Sequence, residues 1–114
     1  MPEPVIICLH QPALELAEKV ASLCDGEVHG LQSRVNTIPE TFEKTKEHLQ
    51  DLFQKGHPLV GICSSGILIR SLADVLSDKY TEPPVLAVAE DGSCVIPLLG
   101  GHHGANDLAR KIAS

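Results

Sequence analysis

The chain has 114 residues, of which 43% are apolar and 21% charged, and its formal net charge is −6. That length fits one compact domain, and the composition is typical of a folded globular protein. A net acidic chain without a concentrated basic face does not suit nucleic acid or an anionic membrane as a partner. No apolar run approaches the ~18 residues of a membrane span, and the N-terminus lacks the basic region of a secretory signal, so we predict a cytoplasmic protein.

The first third of the chain predicts two strands separated by a helix. Residues 5–9 form a continuous apolar run rich in β-branched side chains, as expected of a strand buried on both faces. Residues 13–24 carry apolar side chains at helical spacing, and Asp25-Gly26 is expected to end that helix. Residues 27–31 predict a short second strand.

A second helix is predicted in the middle of the chain. Thr37 and Glu40 have the spacing of a capping box, in which two side chains satisfy the first N–H groups of a helix. Large apolar residues follow at helical intervals among charged ones as far as Gly56. We therefore expect a solvent-facing helix that begins at this box.

A strand, a helix and another strand follow, and their order predicts a parallel sheet. Residues 58–63 and 85–89 are short apolar runs, and residues 64–76 between them carry apolar side chains on one helical face. Two strands joined by a helix in this way lie parallel, with a right-handed crossover. Arg70 and Asp74 are four residues apart, which suits an ion pair on that helix.

The last part of the chain predicts a hairpin and a helix. Asp91-Gly92 separates two strand-like runs, which indicates a hairpin and hence an antiparallel strand. Residues 105–112 then carry one apolar helical face. The sequence therefore predicts a three-layer α/β fold, with an open, mostly parallel sheet of the Rossmann-like or flavodoxin-like type and an antiparallel C-terminal hairpin strand. We expect residues 1–114 to form a single domain, and the lack of a helix stop signal before Ser114 is consistent with excision from a longer protein.

The cysteines and the scattered histidines predict no further site. No two cysteines form a C-x-x-C pair, and each lies in an apolar stretch, which favours buried free thiols over disulfides or a zinc knuckle. The cysteines concerned are Cys8, Cys24, Cys63 and Cys94. The histidines expected on surfaces or turns are His29, His48 and His57.

A general rule for α/β sheets selects the candidate binding residues. Ligands bind beyond the carboxyl ends of the parallel strands, where loops lead into helix N-termini with unpaired N–H groups. The rule selects three segments, which we expect to converge on one edge of the sheet: His10-Gln11, Ser64-Ser65-Gly66 and residues 100–106.

Ser64, Ser65 and Gly66 lie where a strand passes into a helix. Their hydroxyl and backbone N–H groups suit a carboxylate or phosphate, although a serine cap on the helix is the simpler alternative. Arg70, about one turn later, suits a substrate carboxylate as well as it suits Asp74. The sequence contains neither a dinucleotide-binding fingerprint nor an ATP-binding loop, so nucleotide binding is not expected.

Two adjacent histidines, His102 and His103, are set among three glycines in residues 100–104. Imidazoles can donate, accept or shuttle protons near neutral pH. Adjacent side chains point in different directions, so we do not expect both histidines to bind one metal ion. The glycines are also explained by a tight turn, but such a turn requires no histidine. Asn106 and Asp107 follow at a helix start, where they cap the helix or point at a ligand.

Two segments carry a resemblance to a known family. The first is Gly61-Ile-Cys-Ser-Ser-Gly-Ile-Leu-Ile-Arg-Ser-Leu-Ala73, and the second runs from Asp78-Lys79 through Val-Ile-Pro-Leu-Leu-Gly-Gly-His-His-Gly-Ala-Asn-Asp-Leu-Ala109. Over about residues 60–113 they resemble the N-terminal domain of cobalt-precorrin-5A hydrolase, the CbiG family of cobalamin (vitamin B12) biosynthesis. This sequence departs from the family pattern by being one residue shorter between His102 and Ala105. The residue pattern of these segments resembles that of a subgroup in which this domain is fused to a precorrin-3B C17-methyltransferase.

The resemblance implies hydrolytic opening of a δ-lactone on ring A of the corrin macrocycle, with release of acetaldehyde. Such a reaction needs an activated water molecule and stabilisation of an oxyanion. Cobalt would arrive inside the substrate, so no resident metal or cofactor is expected. We expect His102 or His103 to act as the base. The residues expected around the substrate are Ser64, Ser65, Gly66, Arg70, Gly100, Gly101, Gly104 and Asn106.

Two other interpretations stay open at this point. In the first, the domain is a non-catalytic module that binds the corrinoid and delivers it to a methyltransferase domain or another enzyme of the corrin pathway. Because the family's C-terminal part is absent from these 114 residues, catalysis is expected to need further domains or a partner. In the second, the chain is a small-ligand-binding α/β domain unrelated to corrins, and the matching segments are coincidental.

Overall fold

The chain alternates strands and helices, as the sequence predicts. The computed structural model describes residues 2–77, 81–101 and 104–113. None of the helices in these ranges is long and apolar enough to cross a membrane. In chain order the elements are β1 (Val5–Cys8), α1 (Leu14–Cys24), β2 (Glu27–Leu31), β3 (Thr41–Phe42), α2 (Thr45–Gln54), β4 (Leu59–Ile62), α3 (Ser65–Leu72), β5 (Val85–Val88), β6 (Val95–Leu99) and α4 (Ala105–Ala113).

The strands form one sheet in the order β3-β2-β1-β4-β5-β6. Neighbouring strands are parallel except in the last pair, where β6 runs antiparallel to β5. Helices α1 and α4 pack on one face of the sheet, and α2 and α3 pack on the other. This architecture confirms the prediction of a three-layer, mostly parallel α/β fold that ends in an antiparallel hairpin strand.

The central strand β1 joins the two cores on either side of the sheet. All four of its residues are buried, with Ile6 and Cys8 facing α1 and α4 while Val5 and Ile7 face α2 and α3. Because side chains alternate in direction along a strand, a sheet covered on both faces requires a continuous apolar run. Burial of each large aliphatic side chain stabilises the fold by roughly 1.5–3 kcal/mol, so the central strands anchor both layers of helices.

The second helix begins later than the sequence predicts. The capping box proposed at Thr37 and Glu40 is wrong, because α2 starts only at Thr45. Strand β3 follows Glu40 instead, and the backbone carbonyl of Glu40 accepts a hydrogen bond of 3.0 Å from the N–H of Gly30. Pro39 disfavours helical backbone at the residue before it, and pairing with β2 satisfies the backbone groups that follow.

The predicted ion pair between Arg70 and Asp74 is not found among the described residues. Helix α3 ends at Leu72, and residues 73–75 form a 3₁₀ helix, which turns more tightly and carries Asp74 away from the face of Arg70. Asp74 binds Lys46 of α2 instead, with 2.9 Å between Nζ and Oδ2. Arg70 is thereby left for a different partner.

Three of the cysteines are buried thiols, as predicted, and Cys94 is not. Cys94 lies in the hairpin loop directly before β6, where its side chain is exposed. Burial raises the pKa of Cys8 and of Cys24, and a hydrogen bond to a backbone carbonyl holds each thiol, at 3.3 Å and 3.2 Å respectively. The apolar neighbours of Cys94 in the sequence suggested burial, but the hairpin turns its side chain to solvent.

Candidate functional site

The direction of β6 separates the predicted site residues into two groups. Strands β1, β4 and β5 are parallel, so His10, Ser64 and Glu90, which follow them, lie at one edge, called here the carboxyl edge. Strand β6 runs the other way and ends opposite Val85, at the amino edge of the sheet. Strands of four residues place these edges about 13 Å apart. The predicted convergence of all three segments on one edge is therefore wrong.

The amino edge holds the glycine segment that follows β6. The residues of the predicted site found there are Gly100, Gly101, Gly104 and Asn106, and those at the carboxyl edge are Ser64, Ser65, Gly66 and Arg70. His102 and His103, the predicted catalytic pair, lie outside the described residues. Gly104 borders a cleft of about 350 Å³ together with Pro4, Pro58 and Pro84, which precede β1, β4 and β5. Asn106 is exposed in the first turn of α4.

Gly100 is the residue that lets the chain leave β6. Its φ of +79° is in the left-handed region, and a Cβ atom on it would lie 2.5 Å from Cα of Pro84. A residue with a side chain would meet backbone that cannot move aside. The turn therefore requires glycine at position 100, whereas a Cβ atom on Gly101 would meet nothing within 4 Å.

The carboxyl edge holds the start of α3, with Ser64 in the N-cap position. Ser64 makes no side-chain capping hydrogen bond, so the structure does not support the simple cap as its role. Neither its hydroxyl nor that of Ser65 has a hydrogen-bond partner among the described residues. Helix N-termini present unpaired N–H groups and a partial positive charge. This end of α3 is therefore suited to an anionic group.

Arg70 strengthens the positive character of the same end of α3. Its side chain folds back along the helix, so that Nη1 lies 3.3 Å from the point where a Cβ atom on Gly66 would be. The guanidinium forms no ion pair within the part of the chain that the structure describes. An unpaired guanidinium beside a helix N-terminus is well placed to bind a carboxylate through two parallel hydrogen bonds. Glycine at position 66 leaves room for the guanidinium to lie close to the backbone.

His10 and Glu90 form a pair beside the start of α3. Nε2 of His10 lies 2.7 Å from Oε2 of Glu90, and both side chains are partly exposed. The contact does not have the geometry of a hydrogen bond, and Nε2 is a buried atom without a hydrogen-bond partner among the described residues. The sequence selected the segment of His10 but missed Glu90. Glu90 directly follows the predicted strand of residues 85–89, and the rule for parallel strands could have selected it for that reason.

Cys63, which ends the strand run before Ser64, is buried and poorly suited to act as a nucleophile. Burial, followed in effect by the negative charge of Glu90, raises the pKa of the Cys63 thiol to about 11. Because the thiolate is the reactive form, a thiol with so high a pKa is inert near neutral pH. The polar groups that can do chemistry at this edge are therefore His10, Glu90 and the serine hydroxyls.

His29 and His48 are half-buried and contact each other, which the sequence does not predict. Nδ1 of His29 lies 2.8 Å from Nε2 of His48, and the His48 ring stacks on Phe42 with 4.5 Å between ring centroids. Burial, and then the neighbouring His29, lowers the pKa of His48. The two histidines are on β2 and α2, so packing of the helix against the sheet brings them together.

These features define an α/β domain whose carboxyl edge combines an anion-binding helix start with an imidazole–carboxylate pair. The family model described as "Cobalamin synthesis G N-terminal" matches residues 47–114. That match covers more than half of the chain, and the chain therefore belongs to this family of cobalamin biosynthesis domains. The resemblance stated from the sequence is confirmed.

Two cobalt-precorrin-5A hydrolases match part of the chain. The cobalt-precorrin-5A hydrolase of Priestia megaterium is 40% identical over 67 residues, which are 58% of this chain and 18% of that protein. The cobalt-precorrin-5A hydrolase of Salmonella typhimurium is 45% identical over 56 residues, which are 48% of this chain and 16% of that protein. The chain thus spans less than a fifth of the length of these relatives.

A solved structure extends the similarity to nearly the whole chain. A cobalamin biosynthesis protein G homologue from Sulfolobus solfataricus superposes with a TM-score of 0.68 and 23% sequence identity. The superposition covers 97% of this chain and 33% of that one. The fold predicted from the sequence is therefore shared with this family member, including the first half of the chain.

Proposed function

We propose that this domain binds a cobalt-precorrin and takes part in the hydrolysis of cobalt-precorrin-5A, in which the ring A δ-lactone is opened and acetaldehyde is released. The observation that carries the proposal is the unpaired guanidinium of Arg70 beside the start of α3. The substrate carries several carboxylates, and a guanidinium next to free backbone N–H groups is a fitting partner for one of them. In this proposal residues 1–114 act as one domain, and cobalt enters as part of the substrate.

His10 and Glu90 are the residues that we propose for activating water. Lactone opening begins when a water oxygen adds to the lactone carbonyl and a base removes the water proton. Nε2 of His10 can hold that proton, and the carboxylate of Glu90 at 2.7 Å stabilises the charged imidazole that results. N–H groups at the start of α3 are then suited to the oxyanion that forms at the carbonyl.

His102 and His103 stay a second proposal for the base. Both lie outside the described residues, so the structure does not choose between the two proposals. Variants distinguish them directly. If His10→Ala abolishes lactone opening while the His102→Ala/His103→Ala double variant keeps it, the carboxyl edge is the reaction site, and the reverse result selects the histidine pair.

The named relatives favour the hydrolase over a docking module that only delivers a corrinoid. Both are hydrolases by name, and neither name mentions a methyltransferase. The methyltransferase fusion stays a prediction. A docking module would bind corrinoids without releasing acetaldehyde, so the same assay tests both proposals.

Corrinoid binding is the first experiment, with cobyrinic acid as the probe and visible absorbance as the measurement. We expect saturable binding that Arg70→Ala weakens about 10-fold to 100-fold, since a hydrogen-bonded charge contributes roughly 1.5–3 kcal/mol. Arg110→Ala is the matched control, because Arg110 is an exposed arginine of α4 paired with Asp107 near the amino edge. If Arg110→Ala weakens binding and Arg70→Ala does not, the proposed edge is wrong.

Product analysis with cobalt-precorrin-5A completes the test. Acetaldehyde from this chain would establish that these 114 residues suffice for catalysis. Binding without acetaldehyde would favour the docking module. If neither binding nor acetaldehyde is found, the proposed function is wrong for this chain.

A further inference from the structure

A separate cluster of polar side chains lies on the face of the sheet covered by α2. Glu27 and His29 are two residues apart on β2, so their side chains leave the sheet on the same face. Glu40 lies alongside them because its backbone carbonyl accepts the N–H of Gly30 at 3.0 Å. One carboxylate oxygen of each glutamate and one ring nitrogen of His29 all lie within 4.8 Å of one another.

The distances in this cluster suit a small cation. Nε2 of His29 is 3.4 Å from Oε1 of Glu27. Two ligand atoms bound to a tetrahedral zinc ion at 2.0–2.1 Å are about 3.3 Å apart, so this pair already has the required separation. Glu40 is exposed, and its side chain can close the remaining gap, on the order of 1 Å, by a change of rotamer.

His48 fixes the orientation of the His29 ring. The 2.8 Å contact between Nδ1 of His29 and Nε2 of His48 requires one nitrogen to donate and the other to accept. If His29 donates from Nδ1, its Nε2 keeps a lone pair, and this atom lies 3.4 Å from Oε1 of Glu27. Phe42 stacks on the His48 ring almost in parallel, at an interplanar angle of 9°, and so holds the acceptor in place.

We propose that Glu27, His29 and Glu40 form a binding site for a divalent transition-metal ion such as Zn²⁺, with His48 as a positioning residue. Two carboxylates and an imidazole are ligands that such ions prefer, and a hydrogen bond to the second ring nitrogen is the usual support of a metal-binding histidine. The ion neutralises the two facing carboxylates and ties Glu40 to β2. Three protein ligands leave a fourth position for water or for a carboxylate of a bound molecule.

The inference goes beyond the proposed function and does not depend on it. No metal site is predicted from the sequence, in which the adjacent histidines His102 and His103 do not suit one metal ion. Glu27 and Glu40 are 13 positions apart in the chain, and the three ligands have no metal-binding sequence spacing. Their approach depends on β3, which the sequence did not predict.

Zinc affinity of the untagged chain, measured by competition with a chromogenic chelator, tests the site. We expect one ion per chain with a dissociation constant in the micromolar range or below. Glu27→Gln and Glu40→Gln should each weaken binding at least tenfold, because each removes a charged ligand. Glu43→Gln is the matched control, since Glu43 is an exposed glutamate close in the chain to Glu40 and outside the cluster. Circular dichroism checks that every variant is folded.

Two further variants test the role of His48. His48→Leu should weaken zinc binding about 10-fold to 100-fold. His48→Gln should restore most of the affinity, because its amide oxygen can accept the hydrogen bond from Nδ1 of His29. Equal affinities for the two variants, measured on folded protein, would exclude a positioning role through this hydrogen bond.

The proposal has clear failing outcomes. Zinc binding that survives in both Glu27→Gln and Glu40→Gln, or that is absent at 100-fold excess over protein, would overturn it. Binding that is lost in the His102→Ala/His103→Ala variant but kept in the glutamate variants would place the ion elsewhere. None of these results depends on lactone hydrolysis, so the metal site and the proposed function can fail separately.

Discussion

Nε2 of His10 lies 2.7 Å from Oε2 of Glu90, and the two side chains meet beyond the end of β4, the strand that separates their own strands. Two residues 80 positions apart are joined in this way by the parallel order of β1, β4 and β5. The pair therefore stands directly beside the start of α3, which follows β4. Binding and chemistry can be assigned to different residues at this edge.

Glu90→Gln should lower the rate of lactone opening while corrinoid affinity stays within about twofold. The substitution keeps the shape of the side chain and removes the charge that stabilises a protonated His10. General base catalysis contributes about 10²-fold to 10⁴-fold, and weakening His10 as a base should cost part of that factor. Acetaldehyde release at saturating substrate measures the rate, and absorbance titration measures the affinity. Arg70→Ala should do the opposite, so a common loss of affinity in both variants would contradict the division of roles.

Cys94 should be the thiol that reacts with Ellman's reagent in the native chain. Cys94 is exposed, whereas Cys8, Cys24 and Cys63 are buried and have raised pKa values. For a pKa of about 11, as at Cys63, only about one thiol in a thousand is ionised at pH 8. We expect one fast thiol in native protein and four in denaturant. Cys94→Ser should remove the fast phase, and a second fast thiol would contradict the burial described above.

Gly100→Ala should destabilise the fold by at least about 2 kcal/mol. The new Cβ would lie 2.5 Å from the Cα of Pro84, in a backbone conformation that alanine rarely adopts. Gly101→Ala is the matched control, because a Cβ at that position meets nothing within 4 Å, and its cost should stay within about 0.5 kcal/mol. Urea denaturation measures both free energies of unfolding. Equal stabilities would show that the turn can rearrange.

Acidification below about pH 6.5 should destabilise the chain through His48. Burial lowers the pKa of folded His48 below its ordinary value of 6.5, so the unfolded chain takes up this proton first as the pH falls. The free energy of unfolding is therefore at its full value above that pH and declines below it. Denaturant titrations at pH 7.5 and pH 5, with a chelator present, should show a smaller loss in His48→Gln than in the wild type. An identical loss would remove His48 as a source.

The sequence predicts the layers of this fold well, because each strand of the sheet centre is buried on both faces and leaves an uninterrupted apolar run. Prediction from the sequence fails where tertiary packing determines the local structure. Phe42 fits a helical pattern with Leu49 and Phe53, yet it lies on β3 and reaches the same core from the sheet. A two-residue strand offers no periodicity from which to predict it.

The candidate site is predictable in part for the same reason. Ser64 and Arg70 follow one strand directly, so the rule for parallel sheets finds them. The position of Gly100 at the amino edge follows from the hairpin at Asp91-Gly92, because β6 returns the chain to the opposite edge of the sheet. The contact between His29 and His48 depends on how α2 sits against β2, and no local pattern contains that information.

Strand β6 forms an edge of the sheet, and its composition disfavours the addition of a further strand. It is the outermost strand of the sheet, and the side chain of its residue Ile96 is exposed. Pro97 lies in the middle of the strand, opposite Leu86 of β5. Proline has no N–H group, so a further strand that approached this side would find no backbone donor at its centre. Proline is disfavoured in a central strand, but here Pro97 protects the exposed edge of the sheet against pairing with another chain.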